Sequence, residues 1–66
     1  MKLKINKESD TLYFRLDKAA VVESEEVQPG VILDYDKENR VVGFEILGIS
    51  TRVSAENLRT FQFETI

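Results

Sequence analysis

The sequence predicts an α+β fold, an antiparallel β-meander of four to five strands with a short C-terminal helix packed on one face. Three observations point there. Apolar and polar residues alternate from Lys2 to Leu16 and again from Val31 to Leu47, the period of a half-buried strand. A polar turn interrupts each run, at Lys7-Glu8-Ser9-Asp10 and around Glu38-Asn39. After Gly48 the alternation ends, and Ser54 stands as an N-cap before Ala55-Glu56-Asn57-Leu58-Arg59, with an acidic residue in the first turn.

The elements are taken in chain order. In Lys2–Asn6, Leu3 and Ile5 share one face and Lys2, Lys4 and Asn6 the other. In Thr11–Leu16, Leu12, Phe14 and Leu16 lie together, with Tyr13 and Arg15 opposite. Pairing Asn6 with Thr11 sets Ile5 against Leu12 and Leu3 against Phe14, and a slip of one residue destroys that match. Val21–Val27 is extended in composition but holds Glu23, Glu25 and Glu26, so it is expected at a sheet edge, where charge discourages further pairing. Pro29-Gly30 supplies a turn. In the second hairpin, pairing Asp36 with Val41 sets Tyr35 against Val42, Leu33 against Phe44 and Val31 against Ile46. Gly43 falls on the opposite face, where a missing side chain permits a bulge or a close approach. Val53, Leu58 and Phe61 are expected to cover the sheet. Thr60–Ile66 alternates again and fits either a final strand or a longer helix.

Sixty-six residues make one small domain, residues 1–66. A chain of this size buries only about 60% of its unfolded surface, so its core alone is marginal. Disulfides, a structural metal and self-association are the usual remedies. With no cysteine there is no disulfide, thiolate metal site or sulfur nucleophile, and with no histidine the commonest general base is missing. Self-association remains. Nine Lys and Arg against twelve Asp and Glu give a net charge of −3, and the cations are scattered, which disfavours nucleic-acid binding by the monomer. No apolar run reaches the roughly 18 residues of a membrane span, and MKLKINKESD lacks a signal-peptide core, so a cytoplasmic location is expected.

Few residues carry the marks of a site. Asp34, Asp36, Glu38 and Glu45 fit positions of a calcium-loop template, but Asn39 stands where that loop needs glycine, and the flanks read as strands. Tyr13, Arg15, Ile32, Asp34, Val41, Glu45 and Leu47 are expected on the face opposite the core. That face is too apolar for a purely solvated surface and suits self-association with cross-chain ion pairs. Glu23, Glu25 and Glu26 offer an edge for a basic partner. Serines 9, 24, 50 and 54 and Thr51 have no histidine to activate them.

The string Tyr13-Phe14-Arg15-Leu16, Val22-Glu23-Ser24-Glu25-Glu26-Val27, Pro29-Gly30-Val31-Ile32-Leu33-Asp34-Tyr35-Asp36 and Val41-Val42-Gly43-Phe44-Glu45-Ile46-Leu47 resembles the small prokaryotic domain-of-unknown-function family numbered 2283. The resemblance spans about the first fifty residues. It implies a compact sheet-plus-helix domain and an association with toxin–antitoxin-like gene pairs, and it supplies no catalytic residues. Together these readings predict a non-enzymatic interaction module without cofactors. It is expected to be homo-oligomeric and an antitoxin-like partner of a small basic protein. The alternative is a ligand- or divalent-cation-binding regulator using the carboxylates near Asp34 and Glu45.

Overall fold

The computed structural model describes residues 1–66. It contains strands β1 (Lys2–Asn6), β2 (Thr11–Arg15), β3 (Glu23–Gln28), β4 (Val31–Tyr35) and β5 (Val41–Leu47), then a 3-10 turn (Ile49–Thr51) and a one-turn helix α1 (Ala55–Leu58). The strands form one antiparallel sheet in the order β1-β2-β5-β4-β3. It is meander-like with one departure, because β5 sits between β2 and β4 and the chain crosses two strands to reach β3. The reason lies in β3 itself. Its glutamates occupy both faces, so a central place would bury one of them, whereas the seven-residue apolar β5 suits the middle. β3 is accordingly an edge, and all six of its residues are exposed.

The first hairpin has the register that its apolar residues demand, with Leu3 opposite Phe14, Ile5 opposite Leu12 and Asn6 opposite Thr11. Asp10 closes its turn at φ 56°. The same residue clamps the C-terminal segment. Its carbonyl accepts from the Ile49 N–H (3.0 Å), and its carboxylate accepts from the Ser50 N–H (3.0 Å) and hydroxyl (2.6 Å).

The second hairpin agrees with its apolar pattern at Leu33–Phe44 and Val31–Ile46 but not beyond. Tyr35 pairs with Val41 rather than Val42, and Asp36 bonds Arg40 rather than pairing with Val41. Asp36 is the cause. Its Oδ1 accepts from the N–H groups of Glu38 (3.0 Å) and Arg40 (2.9 Å), tightening the loop to three residues with Asn39 left-handed at φ 63°. The register then shifts between Asp34 and Tyr35, leaving Val42 as an extra, bulged residue. Val41, expected opposite the core, therefore lies across from Tyr35 and shares the face of Leu33 and Phe44.

Only Val42 and Ile49 are fully buried apolar residues, at 3% and 5% exposure. Leu3, Leu12, Phe14, Leu33, Phe44 and Ile46 line one face and are only half-buried. Phe14 and Phe44 stack at its centre with ring centroids 5.4 Å apart. α1 begins at Ser54, whose Oγ accepts from the Asn57 N–H (3.1 Å), and half-buried Leu58 borders a groove near Ile5 and Ile49. Phe61 does not cover the sheet, because it is 66% exposed. Thr60–Ile66 forms neither strand nor helix. No helix is long and apolar enough to cross a membrane.

The Arg40 N–H foremost, with the Glu38 N–H and the Arg40 guanidinium, holds the Asp36 carboxyl below its ordinary 3.8, outweighing the opposing effect of burial. A carboxylate depressed on folding stabilises the fold above its unfolded value, and the contribution is lost as pH falls through the folded value. Asp36→Asn keeps an acceptor but loses the charge. Its stability deficit should be fully present at neutral pH and close as pH falls below 3.8 in urea titrations. A deficit that stays constant with pH would contradict the assignment.

Candidate functional site

The face opposite Phe14 and Phe44 carries the polar chemistry. Strand register builds it in rows, since directly opposed residues share a face. One row runs Arg15, Gly43, Asp34, Ser24, and the next runs Tyr13, Glu45, Ile32, Glu26. Leu47 stands opposite Thr11 on the same side. Six of the seven residues expected there, Tyr13, Arg15, Ile32, Asp34, Glu45 and Leu47, are thus brought together, and Val41 is moved away by the bulge.

Asp34 is the centre of this face, at 9% exposure. The Ser24 hydroxyl donates to its Oδ1 (2.7 Å) and the Tyr13 hydroxyl to its Oδ2 (2.9 Å). Arg15 donates to the Tyr13 oxygen (3.3 Å), to the Asp17 carbonyl (2.6 Å) and to the Ala19 carbonyl. The network therefore ties β2, β4, β3 and the crossover loop together across β5. Gly43 makes it possible. A Cβ there would lie 3.1 Å from both the Tyr13 hydroxyl and the Phe14 carbonyl, and 3.4 Å from Asp34 Oδ2. Tyr13 reaches Asp34 because the intervening strand has no side chain. The Ser24 link was hidden from sequence reasoning because the register of β3 was unplaced, although Gly43 within a strand was a visible signal of close approach.

The arrangement is chemically satisfied. No buried side-chain polar atom lacks a partner, and both Asp34 oxygens are engaged. The other hydroxyls hold structure too, with Ser50 on Asp10, Ser54 capping α1 and Thr51 donating to the Gly48 carbonyl (2.7 Å). Asp36 and Glu38 each lie 3.3 Å from the Arg40 guanidinium, and no group of three or more acidic side chains converges as a cation would require. The acidic edge is split between faces. Glu23 and Glu25 oppose Tyr35 and Leu33, whereas Glu26 opposes Ile32 and accepts from the Gly30 N–H (3.0 Å).

Gly43→Ala should cost about 1–3 kcal/mol, because the new methyl meets both the Tyr13 hydroxyl and the Phe14 carbonyl at 3.1 Å. Tyr13→Phe should cost a similar ~1–3 kcal/mol by leaving Asp34 Oδ2 unpartnered. In the double variant the costs should fall short of additive, since removing the hydroxyl frees the space that the new methyl needs. Strict additivity in urea unfolding would show that the two groups do not meet.

Comparison with known proteins places this geometry in a family. No curated protein and no solved structure matches the chain. A family model described as protein of unknown function (DUF2283) matches residues 2–50, which hold all five strands and both halves of the Asp34 network. The chain belongs to the DUF2283 family of proteins of unknown function.

Proposed function

We propose that this protein is a small, non-enzymatic interaction module that works as a homo-oligomer. The observation that carries the reading is the apolar face centred on the Phe14–Phe44 stack, which is half-exposed and has no second layer over most of its breadth. A sheet with one apolar face is stable when that face packs on another element, and this chain supplies only a one-turn helix at one end. A second copy provides the missing layer. The four strands β1, β2, β5 and β4, about 4.8 Å apart with about five residues each at ~3.3 Å, make an apolar face of roughly 300 Å² in projection. With side-chain relief, two such faces fall in the small class of interfaces below ~1,200 Å², which suits a reversible association. The sequence points to the opposite face for self-association, but Tyr13, Arg15 and Asp34 at its centre are bonded within the chain, which favours the apolar face as the seat. The engaged Asp34 oxygens likewise favour this reading over cation binding.

The exposed strand β3 borders that apolar face with an acidic margin, outside the strands that pair with the second copy. Glu23 and Glu25 project without partners from a free sheet edge and suit a small basic protein, toward which the module acts as an antitoxin-like, neutralising partner.

Sedimentation equilibrium should give at least twice the 7.6 kDa chain mass at tens of micromolar, and a 7.6 kDa species throughout would contradict self-association. Phe44→Ala should lower the assembled mass and cost about 3–5 kcal/mol, against about 2 kcal/mol for a side chain half-buried in a monomer. For the acidic edge, replacing Glu23, Glu25 and Glu26 with Gln should slow capture of a basic protein partner at low salt and leave dissociation nearly unchanged. Equal association rates would return β3 to a merely solvated edge.

A further inference from the structure

The segment Thr60–Ile66 and strand β1 are each incomplete, and each supplies what the other lacks. Beyond Thr60 the segment makes no hydrogen bond within the chain. Phe61 and Phe63 are 66% and 68% exposed, two residues apart as on one face of a strand. The Cα radius of gyration is 12.8 Å, against about 11 Å for a compact chain of this length, consistent with a flat sheet and an outstretched tail. β1 is the sheet's free edge on the side where Arg59 borders the same groove as Ile5 and Asn6. Ile5 on that edge is 37% exposed.

An antiparallel register in which Phe61 opposes Ile5 also sets Phe63 opposite Leu3, Gln62 opposite Lys4 and Glu64 opposite Lys2. The aromatic rings then extend the apolar face, and the polar residues meet the lysines. The other free edge, β3, presents Glu23, Glu25 and Glu26 and repels Glu64. We propose that Thr60–Ile66 of one copy adds as a sixth strand to the β1 edge of a second copy. The second copy is the occupant because, in the single chain, the tail makes no hydrogen bond to this edge and Phe61 and Phe63 stay exposed. This strand addition rests on the self-association reading and deepens it. It ties one copy's tail to the sheet edge of another and leaves the apolar faces free to stack, so the full chain assembles beyond the face-paired dimer.

The absence of native cysteine allows a clean test. A Lys4→Cys variant mixed with a Gln62→Cys variant should, on mild oxidation, give a covalent species of twice the chain mass joined through positions 4 and 62. The double variant closing on itself within a monomer, or no cross-link at all, would overturn the proposal. Glu64→Lys should weaken assembly about two- to five-fold, and adding Lys2→Glu should restore it. A chain ending at Arg59 separates the two ideas. A truncated dimer beside a larger full chain supports both, and equal masses for the two overturn strand addition alone. A truncated monomer beside an oligomeric full chain supports strand addition while overturning the face-to-face reading.

Discussion

This chain builds one sheet with no second layer over most of its apolar face, and that single-layered arrangement governs the rest of the structure. Five strands take fewer than half of the residues, and beyond the turns and the crossover loop the rest amounts to a 3-10 turn, one helical turn and a tail that is neither strand nor helix. The consequence is visible at the Phe14–Phe44 stack, where aromatic rings that would anchor a larger domain's core stay half-exposed. Deep burial falls instead to positions fixed by turns and bulges, Val42 beside the Asp36 turn and Ile49 under the Asp10 clamp.

With so little apolar burial available, polar groups hold the topology together. Asp10 fastens the C-terminal segment to the first hairpin, and Asp36 organises the second. Asp34 spans the middle of the sheet through Ser24 and Tyr13. Each carboxylate has hydrogen-bond donors for both oxygens, which is the condition under which burying an acid is tolerable. Arg15 extends the third network to the crossover loop and so helps fix the one non-sequential step in the strand order. Asp34 and Asp36 fit positions of a cation-loop template in the sequence, yet with Asp10 they serve as joints in the structure.

The same physics decides how legible each part was. The first hairpin was readable because Leu3, Ile5, Leu12 and Phe14 on two strands admit only one register. In the second, Leu33–Phe44 and Val31–Ile46 were readable for the same reason. The pairing near the turn was not, because the Asp36 carboxylate captures two amides and draws the loop one residue tighter than alternation indicates. The bulge that follows carries Val41 to the face of Tyr35 and Leu33. β3 was legible as an edge from its glutamates, but its register had no apolar pattern to set it, so Ser24 could not be matched to Asp34. Ser54 was readable as a cap because capping is local, while the fate of Phe61 and Phe63 depends on partners outside the chain.

Coverage of the apolar face by a second copy is tested most directly by isotope-filtered NOE spectroscopy on a mixture of labelled and unlabelled protein, which reports only contacts between chains. The expected result is intermolecular NOEs to the rings of Phe14 and Phe44 and to the methyl groups of Leu33 and Ile46. Intermolecular NOEs confined to Tyr13, Ile32 and Leu47, on the opposite face, would contradict it.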